Sequence, residues 1–424
     1  MASSSTAYKK KGSTSQDPSA TQQDATIAGP STGEQVEIGT ARVAHRVPRP
    51  RPTSIFMPHY QSQFKPGSEK SPKDKQIAGS PLVPRHHIEN LYKSGARIWT
   101  GEDLRAIEEH INALINHFEE HEPFQFRCFD DSMTTIEDVN PHFMLGALVT
   151  DGSNIEPLFS SKPNVAFRMY QDLLYNKARG HDKIAHRGLA ICCEGIPNIP
   201  TVALTEHQVL QLYLHEKEKW DKSDTCSKLK LIIATSKIPT NINKMVCFGL
   251  GNLESGYLAS EEPTHHRSIV QHAAALTISA AVQRKLNKPI KIYAQDPNYS
   301  LYTKRTLARQ EIHVIDCHGA KGFTYVDEDT IVFSVAPSVP VKQIIADLAR
   351  PPVMIWEKVS SPEEEEEKLK NPRFFMGGYV SPWTLDNDSP RTQKLVKHCT
   401  ATPFPADDGH FMPNLTIYIR KPSM

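Results

Sequence analysis

The chain has 424 residues, with 49 Lys and Arg against 48 Asp and Glu, a net charge of +1 and 38% hydrophobic residues. That length allows a sizeable core and more than one domain, and the near-zero charge argues against nucleic acid as the main ligand of the folded part. No apolar run reaches the roughly 18–20 residues of a membrane span, the N-terminus has no apolar signal-peptide core, and seven scattered cysteines without a Cys-x-x-Cys pair read as reduced thiols; the expected compartment is cytoplasmic or nuclear.

Residues 1–85 hold 10 of the 32 prolines and 12 Lys and Arg against 6 Asp and Glu, a net of +6, which leaves −5 for the remainder of a chain whose total is +1. So polar and Pro-rich a stretch buries too little apolar area to offset its ordering entropy, and it reads as a disordered basic tail. Arg42, Arg46, Arg49 and Arg51 interleave with Pro48, Pro50 and Pro52, a pattern that favours extended polyproline II. Such a tail is a solvated linker, or else a localisation signal or docking arm for an acidic partner.

Residues 86–204 read as an α+β extension. The stretch 92–99 leads into Thr100-Gly101-Glu102-Asp103, a capping-box-like helix start. Leu104, Ile107, Ile111, Leu114, Ile115 and Phe118 follow at helical spacing and predict an amphipathic helix ending near 121–123. A further helix is expected within 163–178, around Phe167, Tyr170, Leu173 and Leu174, and a strand over 187–193. Cys192 and Cys193 face opposite sides of such a strand, so they read as core thiols and not as ligands of one metal.

Residues 205–360 alternate helices and strands. Thr205-Glu206-His207-Gln208 is a Gln-type capping box. It opens a helix with Val209, Leu210, Leu212, Tyr213 and Trp220 on its apolar side, and 227–235 predicts a short second helix. Strands are expected over 244–249, 290–294, 312–316, 330–335 and 353–356, with helices over 267–285, 303–309 and 341–348. The alternation predicts an α/β fold: a Rossmann-like, mostly parallel sheet with flanking helices. Residues 361–424 read as a C-terminal extension covering the sheet, with an acidic solvated run at 363–367, an aromatic patch at 374–379 and an edge strand at 416–420.

In a sheet of this kind small ligands sit at the carboxyl ends of the strands. Five residues there are candidates for a cofactor: Gly249, Gly251, Asn252, Asp296 and Pro297. The glycines free the backbone to turn and approach a ligand. With Gly256 their spacing is Gly-x-Gly-x-x-x-x-Gly, not the dinucleotide fingerprint. The loop that follows, 252–266, is too long to aim the next helix directly at a phosphate. It suits a ligand whose adenosine or amino-acid part lies along the loop, as with S-adenosylmethionine; a nucleotide is a second option, and a tight strand exit with no ligand a third. An acid at the position of Asp296 commonly accepts hydrogen bonds from ribose hydroxyls, although Asp296-Pro297 also suits a turn. His265 and His266 lie in the loop over this edge, where acid–base work is chemically open to them. There is no nucleophile elbow, phosphate loop or His-Glu-x-x-His motif, and no catalytic or metal-binding set is identified.

The run 244–252 (KMVCFGLGN), Gln271 with its alanine-rich helix, the run 296–300 (DPNYS), Trp220 and Ser223 with Cys226, and the strand at 330–334 (TIVFS) occur in order over about 205–357. As a set they resemble the sensitivity-to-red-light-reduced (SRR-like) family. The family tends to carry a Pro-His-Cys segment after the last of these strands. Here it reads Ala336-Pro337-Ser338, which removes the histidine and cysteine from any metal or haem contact at that place. The family is linked to circadian and light signalling in plants and to regulation of haem biosynthesis in animals. The resemblance thus implies a regulatory protein that binds a small molecule or a protein partner. A methyltransferase-like enzyme using S-adenosylmethionine is the alternative, resting on Gly249, Gly251 and Asp296 with the segment 334–338 at the substrate edge. Haem binding through Cys317 or His318 is a weaker third expectation, because Cys-Pro haem signatures are absent.

Overall fold

Five parallel strands form the centre of the molecule, and the one at 330–334, mostly apolar, is buried along its whole length, as a sheet covered on both faces requires. The structure, a computed structural model, describes residues 85–116, 124–136, 159–174, 187–197, 204–254, 264–315, 317–370, 374–375, 378–379, 384–406, 412 and 414–421. The tail expected to be disordered lies outside them, except Arg85.

In chain order, α1 (Arg85–Ser94) and α2 (Gly101–Asn116) come first. The stretch expected to be a mere lead-in at 92–99 is therefore helical up to Ser94. At the start of α2 the Thr100 N–H donates to Asp103 Oδ2 at 3.0 Å, and the Asp103 N–H to Thr100 Oγ1 at 3.1 Å. Leu104, Ile107 and Ile111 are fully buried; Phe118 lies outside the described residues. Two antiparallel hairpins follow. One pairs β1 (Phe124–Arg127) with β2 (Met133–Ile136), the other β3 (Phe159–Phe167) with β4 (Leu189–Pro197). The helix expected within 163–178 is present as α3 (Tyr170–Leu174), but it does not include Phe167, because 163–167 is strand; 175–178 lie outside the described residues. Pro163 is tolerated because this sheet has just two strands, so an edge is always open. The backbone of Cys192 and Cys193 lies in β4.

The core opens with α4 (Glu206–Lys222), capped by Thr205 and Gln208 as the sequence predicts. Then come α5 (Asp224–Thr235), β5 (Lys244–Phe248), α6 (Thr264–Leu286), β6 (Lys291–Gln295), α7 (Leu301–Ala308), β7 (Ile312–Val314), a 3₁₀ turn (Lys321–Tyr325), β8 (Thr330–Ser334), α8 (Val341–Leu348) and β9 (Val353–Glu357). The acidic run forms α9 (Pro362–Lys370). A minimal hairpin pairs β10 (Phe374–Phe375) with β11 (Gly378–Tyr379), and α10 (Pro390–Lys397), β12 (Cys399–Pro403) and β13 (Leu415–Arg420) complete the chain.

The main sheet has seven strands in the order β12-β13-β9-β8-β5-β6-β7. Strands β7, β6, β5, β8 and β9 are parallel; β13 and β12 are antiparallel additions. Strand β13 was expected at the edge. It lies instead between β9 and β12, and its Leu415, Ile417 and Ile419 are buried. Strand order reverses about β5, which makes its carboxyl end the topological switch point.

Two apolar layers sandwich the sheet. Helices α4 to α7 pack on one face, where Met245, Cys247, Ile331 and Phe333 point. Ala273, Ala274 and Ala275 are at most 1% exposed, and these small side chains let α6 lie close to the strands. Trp220 Nε1–H donates to Thr277 Oγ1 at 2.9 Å and pins α4 to α6. Helices α1, α2, α3, α8 and α10 cover the other face, over Val246, Phe248, Val332 and Trp356. Among the described residues no helix is long and apolar enough to cross a membrane.

Candidate functional site

The predicted candidates converge at the carboxyl ends of β5 and β6. Gly249 has φ +70° and Gly251 φ +75°, backbone states that side chains rarely adopt. Space forbids a side chain as well. A Cβ at Gly249 would stand 2.8 Å from Pro337 Cα, and one at Gly251 would stand 2.5 Å from Ser268 Oγ. The glycines therefore let the segment after β8 and the first turns of α6 close on the rim. Ala336, beside Pro337, is itself left-handed at φ +45°, a strained state for a residue with a Cβ.

Gly251 and Asp296 meet directly. The Gly251 N–H donates to Asp296 Oδ2 at 2.8 Å, and the Asn298 N–H donates to Oδ1 at 2.9 Å. The Gly249 N–H donates to the Gln295 carbonyl at 3.3 Å. Asn252 Oδ1 accepts from the Thr303 hydroxyl, whose oxygen accepts the Leu253 N–H at 3.1 Å. Glu254, which the sequence reading passed over, accepts from the Ser300 hydroxyl at the start of α7. Its signal was an acid three residues after the second glycine. Gly249, Gly251, Asn252, Glu254 and Asp296 are all part-exposed, and Pro297 is exposed. Residues 255–263, including Gly256, lie outside the described residues.

A buried polar relay supports this rim from below. His272, fully buried, places Nδ1 2.7 Å from the Ser268 carbonyl and Nε2 2.8 Å from the Tyr299 hydroxyl. Because a carbonyl only accepts, Nδ1 carries the proton and the Tyr299 O–H donates to Nε2. Burial pushes the imidazole down to about 4, and burial, with the Asp296 charge beside it, holds the Tyr299 phenol well above its ordinary range. Both stay neutral near pH 7.

The end of β6 carries a second cluster. Gln295 Oε1 accepts the Gly322 N–H at 2.6 Å and the Cys317 thiol at 3.0 Å, and its Nε2–H donates to the Gly319 carbonyl at 2.8 Å. Burial, followed by the charge of Glu108, pushes the Cys317 thiol up to about 11, so it is not a ready thiolate ligand. Glu108, buried in α2, accepts N–H groups of His318, Ala320 and Lys321 at 2.9, 2.6 and 2.9 Å. His318 sets Nδ1 3.1 Å from the Pro163 carbonyl and Nε2 3.2 Å from Asn112 Oδ1. Both ring nitrogens lie at hydrogen-bond distance from protein oxygens, and neither is aimed at a metal or haem iron. Among the described residues no cluster of three or more His, Cys, Asp and Glu fits a metal ion.

His266 lies in the first turn of α6, and its Nδ1 is 2.9 Å from Glu216 Oε2. Glu216 is nearly buried and also meets Lys219 at 2.8 Å. Burial opposes its charge, but Lys219 and His266 outweigh burial and hold the carboxyl below its ordinary value. The His265 side chain lies outside the described residues. A cleft of about 650 Å³ lies at the opposite end of the sheet, lined by Ser279, Gln283, Arg284, Asn287, Gln310 and Glu311 among others. It shares no residue with the rim, where the chemistry-bearing groups converge.

Residues 210–418 match the family model described as the SRR1 domain, a span that runs from α4 into β13. No curated protein matches the chain. The chain carries an SRR1 domain.

Proposed function

We propose that this SRR1 domain is a regulatory module whose β5–β6 rim takes a small ligand rich in hydroxyl or amine donors, S-adenosylmethionine being the best-fitting type. The observation that carries this is the hydrogen bond from Gly251 to Asp296. With the Gly249 and Gly251 N–H groups already donating, a phosphate finds neither of the amides that a glycine-rich loop usually offers it. It meets two carboxylates, Asp296 and Glu254, instead. A carboxylate accepts up to roughly four hydrogen bonds, so ligand hydroxyls or an ammonium join the backbone donors on Asp296. The resemblance to a family of signalling regulators supports a regulatory role over a metabolic one.

A second reading, a methyltransferase-like enzyme, draws on the Glu216–His266 contact. The carboxylate fixes the Nδ1–H tautomer and leaves Nε2 as the basic nitrogen. Calorimetry of the full chain with S-adenosylmethionine, NAD and haem tests the rim. Heat with the first, weakened at least tenfold in Asp296→Asn, supports the proposal. Equal heat in the variant, or heat only with NAD or haem, sinks it. Methyl transfer lost in His266→Gln, with binding retained, would select the enzyme.

A further inference from the structure

Under α8 the structure seals one cation among several carboxylates. Lys342 is 1% exposed, and its Nζ lies 2.7 Å from Asp388 Oδ1. Its backbone N–H donates to Asp386 Oδ1 at 2.9 Å. Asp386 and Asp388 are 5% and 3% exposed. The two acids are supported unequally. Asp388 has the ammonium and also accepts the Ser360 N–H at 2.8 Å, whereas among the described residues Asp386 is in no ion pair. Other elements bring more negative or neutral groups: Glu357 at the end of β9, the Tyr418 hydroxyl of β13, which accepts the Val359 N–H at 2.9 Å, and Glu365 of α9, which accepts from Asn387 at 3.2 Å. A buried charge without compensation is costly, and such a group neutralises instead. Burial opposes the Lys342 ammonium, but Asp386 and Asp388 outweigh it and keep it charged; burial also pushes the Asp386 carboxyl up to about 7.

The same short segment ties distant parts of the chain together. Gln171 of α3 donates to the Asp388 carbonyl at 2.6 Å, Gln343 of α8 to the Asn387 carbonyl at 2.9 Å, and the Tyr92 hydroxyl of α1 to Ser389 Oγ at 2.8 Å.

We propose that Asp386 is a one-proton latch in which the carboxylic acid holds residues 386–389 against α8 and the N-terminal helices, while the carboxylate, its proton lost to solvent, loosens them. The carboxylic acid balances the cluster as one ammonium against one buried aspartate. Ionisation leaves that cluster with an unpaired negative charge facing Asp388 and Glu357.

Hydrogen exchange on the full chain, followed from about pH 5 to about pH 8 after correction for intrinsic rates, tests this. Opening of 386–397 and of 85–99 should rise by about tenfold per pH unit up to about pH 7 in the wild type, one proton being linked to it, and level off above that. Asp386→Asn should remove that extra rise. An identical pH response in wild type and variant overturns the latch. Should the variant fail to fold, infrared spectra of the wild type decide instead: a protonated-carboxyl band present at the lower pH and lost at the higher one supports the proposal, and its absence at the lower pH overturns it.

Discussion

The two faces of the sheet are held by different physics. The helices of one face, α4 to α7, come from one continuous stretch of chain, and their cohesion is mainly apolar: an alanine seam on α6, Leu229, Ile233, Ile278 and Val282, with the buried Trp220–Thr277 bond and the relay through His272. The opposite face gathers α1 to α3, α8 and α10 from widely separated parts of the chain. Directional bonds between buried charges and amides align them: Glu108 on three N–H groups, Lys342 with Asp388, and Asp347, which accepts the Ile98 N–H at 2.8 Å and pairs with Arg391 at 2.5 Å. Elements adjacent in sequence need little more than shape to find one another. Distant ones need addresses, and buried polar groups supply them because each tolerates few partners.

This contrast is breakable by substitution. Lys342→Met should cost most, roughly 3–5 kcal/mol, because it strands the buried carboxylate of Asp388; a small shift of the denaturant midpoint would show that the cluster is solvated. Glu108→Ala should cost about 3 kcal/mol by leaving N–H groups of the 318–321 loop unpaired, read by the same unfolding curve and by faster amide exchange in that loop. On the apolar face, Ala274→Leu should cost about 1–3 kcal/mol through overpacking. Trp220→Phe should cost only about 1 kcal/mol, the net value of its bond to Thr277.

The faces should also answer pH with opposite sign. His272 has a folded pKa near 4, below the ordinary 6.5. The unfolded chain therefore binds the proton first, and stability is lost as pH falls from 6.5 towards 4, by roughly 3 kcal/mol. Asp386 has a folded pKa near 7, above the ordinary 3.8. Its neutral form stabilises the fold at low pH, and that contribution is lost as pH rises from 3.8 towards 7, by an amount on the order of 4 kcal/mol. Unfolding curves of His272→Gln and Asp386→Asn across this range should each flatten one flank of the profile; if either variant keeps the wild-type slope, that assignment fails.

Legibility in the sequence follows the same division. The βα alternation from Lys244 to Glu357, the Thr205 cap and the Gly249–Gly251 exit were readable because their signals are local: periodicity, caps and glycine turns. The meeting of Gly251 with Asp296 was also within reach, since adjacent parallel strands deliver their ends to one rim. The interior place of β13 was not. An alternating strand reads alike at an edge or between partners, and nothing in 415–420 says that 353–357 and 399–403 flank it. Nor was the Lys342 cluster legible: a lysine in the first turn of a helix and aspartates 44 and 46 positions later (386 − 342 and 388 − 342) look like surface charge until folding seals them.

The clasp between α1 and α10 carries a kinetic consequence. Arg391 lies 3.8 Å over the Tyr92 ring and donates to the Tyr92 and Ala96 carbonyls at 2.7 and 2.5 Å, joining positions almost 300 residues apart. Closing so long a loop is slow. On a ribosome the five parallel strands and α4 to α7 have all been made before residue 391 exists, whereas this clasp on α1 can close only after it.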